Sequence, residues 1–140
     1  TRVARYAERI AKKEVGNMAV ILCAAYLHDI GIHASERKYQ STAPEYQEQE
    51  GPPIARGLLE KLGAKDALIE EVCDIIGHHH HPRPDDTINF KVLYDADMIA
   101  NMEERQKEKS LDSNRIETFI QTSLLTEGGK ETAEKVLSVL

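Results

Sequence analysis

Cysteine is scarce in this chain, and so are proline, glycine and long apolar runs. The two cysteines, Cys23 and Cys73, lie inside apolar stretches without metal-type spacing, so they read as small core residues of a reduced, cytoplasmic protein. Eight glycines and five prolines in 140 residues, with 41% apolar and 30% charged side chains, exclude a fibrous or a disordered chain. The longest uninterrupted apolar run, Met18 to Leu27, is too short to span a bilayer. No signal peptide is expected, because Thr1 leads directly into amphipathic sequence. Basic charge is in deficit: 18 Lys and Arg against 24 Asp and Glu give −6, so neither a DNA partner nor a membrane partner is expected.

What is present is helical periodicity. Val3, Tyr6, Ala7, Ile10 and Ala11 mark a first helix ending near Gly16. Asn17 caps a second, apolar on every side, which runs to about Ile30 and is expected to be the central buried one. A polar loop is expected from Gly31 to about Gly51, with Pro52 and Pro53 starting a third helix that ends at Leu62. Further helices are read at Ala64 to about His80, Ile88 to Gln106, Ile116 to Leu125 and Thr132 to Leu140, with HPRPDDT as a breaker. No hairpin signal occurs. The expectation is an all-α, compact multi-helix bundle in a single domain over residues 1–140, trimmed at both ends from a longer protein.

Three groups of residues carry chemistry. His28 and Asp29 end the most apolar helix, where a buried charge must be paired. A divalent cation is one partner for an imidazole nitrogen and a hard oxygen; a helix-terminal pair satisfying nearby backbone is the alternative. His78, His79, His80 and His81 follow one another directly before Pro82. Successive helical side chains diverge by about 100°, so at most two neighbours converge on one ion. Asp95 and Asp97 flank the apolar stripe Val92, Leu93, Ala96, Ile99 and Ala100 on opposite sides, and periodicity does not choose between them.

The order of these pieces resembles the HD-domain superfamily of metal-dependent phosphohydrolases. The segments that carry the resemblance are RVARYAERIA (Arg2 to Ala11), LHDIG (Leu27 to Gly31), EGPPIARGLLEKLG (Glu50 to Gly63), IIGHHHH (Ile75 to His81) and DADMIANM (Asp95 to Met102). The resemblance implies a central site for one or two divalent metal ions (Mn, Mg, Fe or Ni). His28, Asp29 and Asp97 would hold the main ion, and His78 and His79 a second. Asp29 would be both ligand and catalytic residue. The implied activity is hydrolysis of a nucleotide-like or other small phosphorylated substrate through a metal-bound water.

The family's first ligand, a His in an H-x-x-R-V spacing, would fall one or two residues before Thr1. Where many members have another metal-binding His, this chain has Gln47, and Glu50 is the candidate to supply an oxygen instead. Arg37 and Lys38 are the nearest cations to meet a substrate phosphate. A di-iron oxygenase-type relative and a degenerate nucleotide-binding module are the alternative functions.

Overall fold

The helical periodicity becomes eight α-helices, and no strand, among residues 1–137, which are the residues described in the computed structural model. They are α1 (Arg2–Glu14), α2 (Met18–Leu27), α3 (Ile32–Tyr39), α4 (Pro44–Lys61), α5 (Asp66–Ile76), α6 (Ile88–Glu108), α7 (Ser113–Ser123) and α8 (Glu127–Val136).

The helix starts follow local capping chemistry. Thr1, Asn17, Thr87, Asp112 and Thr126 each accept a backbone N–H from the first turn with a side-chain oxygen. At the end of α1 the left-handed residue is Val15, with φ 57°, and not the neighbouring glycine. Gly16 lies close to α2: a Cβ there would stand 2.6 Å from the end of the Ile21 side chain, which would have to shift.

The expected loop from Gly31 to Gly51 is instead helical over most of its length. α3 forms from IHASERKY, which buries only Ala34 and Ser35, so its polar composition resembled a loop. α4 starts at Pro44, where the missing N–H costs nothing, and Pro52 and Pro53 lie inside it rather than at its start. Gly31 makes this packing possible. A Cβ on it would sit 2.5 Å from the Gln47 carbonyl oxygen and 2.7 Å from the Gly51 nitrogen, so the turn lies backbone against backbone on α4.

One buried apolar cluster draws on every helix except α3. α2 packs on α1, α5 and α6, but Ala19 and Tyr26 remain exposed, so it is not the most enclosed helix. That helix is α6, buried from Asn89 to Ala100 and covered by α1, α2 and α8. The 22 residues Met18–Tyr39 have the length and apolarity to cross a membrane, yet the turn at residues 28–31 divides them into α2 and α3. Cys23 is half-buried and Cys73 buried, both free thiols. The expected terminal helix begins earlier, at Glu127; Ser138, Val139 and Leu140 lie outside the described residues.

Candidate metal centre

Three helix segments bring acceptors together at one point. His28 is the C-cap of α2, and its Nδ1 donates to the Ala25 carbonyl at 2.8 Å. A carbonyl only accepts, so the proton is on Nδ1 and the Nε2 lone pair points away from the backbone. It points at two carboxylates: Nε2 is 3.2 Å from Asp29 Oδ2 and 3.4 Å from Asp97 Oδ1. His79, in the turn after α5, repeats the device. Its Nδ1 donates to the Ile76 carbonyl at 2.7 Å, and its Nε2 lies 3.8 Å from Asp29 Oδ1.

A lone pair facing two carboxylates is repulsive unless a cation lies between them. The candidates are a proton and a metal ion. With a proton in place, burial lowers the His28 pKa, but the hydrogen bonds and charges of Asp29 and Asp97 outweigh it and hold it up to about 10. Burial pushes Asp29 up in turn, and the facing imidazolium outweighs that and keeps it ionised, below the ordinary carboxylate value. Burial pulls the His79 pKa down, so this ring is neutral and keeps its Nε2 lone pair.

The Nε2 atoms of His79 and His80 are both buried without a hydrogen-bond partner. Orphaned buried nitrogens are rare in folded proteins, and a metal ion is one partner able to satisfy them. Among the described residues no three donors already stand in a coordination cage. The fit therefore rests on the chemistry of the converging set and on these unpartnered nitrogens.

The histidine run divides three ways. His78 does not join the centre, contrary to the sequence expectation: its Nδ1 lies 2.6 Å from the Asp74 carbonyl and its Nε2 2.6 Å from Asp86 Oδ1. Its ring stacks on Phe90 at 4.3 Å, and neither nitrogen is free for a metal. His79 and His80 turn inward, with ring centroids 4.0 Å apart. His81 is exposed and pairs with Glu48 at 2.7 Å. Glu48 also accepts the His80 backbone N–H at 2.9 Å, which ties α4 to the histidine turn. His80 is thus the inward partner of His79, and Glu48 the carboxylate beside the run. Sequence spacing contained the pair but not its phase, which the turn after Gly77 sets.

Glu50 is also elsewhere. One of its oxygens meets Lys38 Nζ at 2.8 Å and the other accepts from the Tyr39 hydroxyl at 3.0 Å. The Lys38 ammonium, with Tyr39, holds the Glu50 carboxyl below its usual value. Lys38 consequently spends its charge on Glu50. Arg37 lines an open surface depression with His33 and Glu36.

The ambiguity between the two aspartates is resolved by their partners. Asp97 faces His28. Asp95, fully buried, accepts from Leu125 N at 2.8 Å, Thr126 N at 2.9 Å and the Thr126 hydroxyl at 2.7 Å. It fastens the connection between α7 and α8 to the flank of α6.

The profile of the HD domain family matches residues 1–102 of this sequence, the span from α1 to one turn beyond Asp97. Among solved structures, a predicted HD superfamily hydrolase from an uncultured Thermotogales bacterium is similar, with a TM-score of 0.67 at 25% sequence identity. The alignment covers 98% of this chain and 70% of that one. No curated protein matches the sequence.

Proposed function

The chain belongs to the HD domain family, and from that premise we propose that it is a metal-dependent phosphohydrolase acting on a small phosphate ester. The observation that carries this reading is the convergence of His28 Nε2, Asp29, Asp97 and His79 Nε2, two imidazole nitrogens and two carboxylates from three segments of the chain. His28, Asp29, Asp97 and His79 would hold a divalent ion, and His80 would be the next donor. A bound ion supplies Lewis acidity, lowering the pKa of a nearby water and drawing charge from a phosphoryl oxygen.

The protein's own contribution follows from exposure and charge. Asp29 is the open side of the group, with its side chain 53% exposed, whereas that of Asp97 is 12% exposed and that of His28 7%. Substrate therefore approaches past Asp29, and its carboxylate is placed to accept a proton from the attacking water. Asp97 and His28, enclosed by α2 and α6, fix the position of the charge. The carbonyls of Ala25 and Ile76 lock both imidazoles in the orientation that presents Nε2.

The test is elemental analysis of protein purified without chelators, together with hydrolysis of p-nitrophenyl phosphate under added divalent metals. At least one ion per chain, lost in Asp97→Asn, and turnover abolished in Asp29→Ala are the expected results. Full turnover by a metal-stripped Asp29→Ala variant would sink the proposal. The inward, nitrogen-rich pair His79 and His80 suits iron among other metals, which is the second reading. Iron as the dominant element, with consumption of O₂, would select the oxidative alternative, and no metal under replete conditions would select a binding module.

A further inference from the structure

A groove of small-molecule size lies apart from the residues of the metal centre. It lies between the second half of α6 and α7 and has a volume of about 750 Å³, within the size range of small-molecule sites. Its floor is apolar: Met98, Met102, Leu111 and Phe119. Three cations stand around it, Arg105, Lys109 and Arg115, against a single carboxylate, Glu108. No ion pair engages any of the three among the described residues, in a chain of net charge −6. Unpaired positive charge concentrated over an apolar floor suits a ligand with an anionic group attached to a ring-sized apolar body.

The groove and the metal centre share α6. Met98 follows Asp97 directly, and Asn101, another lining residue, is one helical turn beyond Asp97 on the same face of α6. Arg105 is two turns beyond, roughly 12 Å along the helix axis.

Resting on the phosphohydrolase reading above, we infer that the α6–α7 groove is a specificity subsite for the non-reacting end of the substrate, with Arg105 and Arg115 binding a second anionic group. The substrate class is then a phosphate ester with two anionic groups separated by a nucleoside-sized body. A simple phosphomonoester would leave the cations unused. Asn101 and the hydroxyls of Thr118, Thr122 and Ser123 line the same groove and offer hydrogen bonds to polar edges of that body.

The experiment compares p-nitrophenyl phosphate with a nucleoside 3′,5′-bisphosphate, in the unmodified protein and in Arg105→Gln and Arg115→Gln. Both arginines are exposed, so the variants fold. Each substitution should lower the ratio of kcat/KM for the bisphosphate over p-nitrophenyl phosphate by about 10-fold, through KM rather than kcat. Equilibrium binding of the bisphosphate, measured by calorimetry on metal-stripped protein, should weaken by a similar factor. Hydrolysis of both compounds with an unchanged ratio and unchanged binding would overturn the subsite and leave the phosphohydrolase standing. No hydrolysis of either compound with any divalent metal, alongside arginine-dependent bisphosphate binding, would overturn the enzyme reading and keep the anion site.

Discussion

Asp95 and Asp97 are two residues apart on one helix, and the structure gives them opposite duties that a pair of alanine variants separates. In Asp95→Ala three donors lose their acceptor, the buried Thr126 N and Thr126 hydroxyl and the partly buried Leu125 N. An unsatisfied buried donor costs about 1–3 kcal/mol, and the three share one site, so a loss of roughly 3–5 kcal/mol is expected. Among the described residues Asp97 has no side-chain partner except His28, which retains Asp29 as a partner at 3.2 Å. Asp97→Ala should therefore cost less than Asp95→Ala in metal-free protein, about 1–2 kcal/mol, because the buried imidazole keeps one of its two carboxylates.

The assay is urea denaturation followed by far-UV circular dichroism, with chelator present so that metal binding adds nothing to the native state. Metal content is then measured on each variant prepared without chelator. Asp95→Ala should be strongly destabilised yet still bind metal when folded, and Asp97→Ala should be the more stable of the two and empty. Thr126→Ala provides a graded control. It removes one donor to Asp95 and the cap that accepts Gly129 N, for a loss of about 1–2 kcal/mol. Equal destabilisation by Asp95→Ala and Asp97→Ala, or loss of metal from a folded Asp95→Ala, would refute the division of labour.

Three further outcomes are expected. Burial raises the Asp95 pKa to about 6 against the bonds from Leu125 and Thr126; the folded state thus binds the proton more tightly than the unfolded chain at 3.8. The resulting stabilisation is full below pH 3.8 and lost as pH rises through about 6, so the difference in urea midpoint between the unmodified protein and Asp95→Asn should change across that window and be flat above about pH 7. Gly57 lies exposed inside α4, and a methyl group added there would meet nothing within 4 Å; Gly57→Ala should raise stability by about 0.5–1 kcal/mol in the same denaturation assay. Gly31→Ala, by contrast, meets the backbone of Gln47 and Gly51; it should lower the melting temperature and displace the turn carrying His28 and Asp29, seen as weakened metal affinity.

Where sequence and structure differ, the causes are physical and local. The segment from Ile32 to Glu50 looks like a loop because its helices are largely solvated. A helix that buries little shows little apolar periodicity, as α3 does with only Ala34 and Ser35. The pair Pro52 and Pro53 suggests a helix start, but the start is Pro44, and α4 continues through both prolines. The histidine run is legible as a donor-rich segment. Which of its members face inward is not, because the α-helix stops at Ile76 and the helical 100° step no longer governs the turn beyond it; His79 and His80 turn in where His78 and His79 are expected.

The all-helical class, several helix boundaries, the cap at Asn17 and the segments that carry His28, Asp29 and Asp97 are legible from the residues alone. These follow from short-range chemistry: apolar period, capping oxygens and breakers act within a few residues of one another. Which donors share a space is set by packing between helices. Asp95 and Asp97 are equivalent by periodicity, and what separates them is the approach of Leu125 and Thr126 to one and of His28 to the other. Glu48 reaches His80 and His81 from a helix distant in the chain, and Glu50 is withdrawn from the site by Lys38. Such pairings depend on how α2, α4, α5 and α6 pack, and that packing is set by close contacts such as Gly31 on α4, which no local pattern encodes.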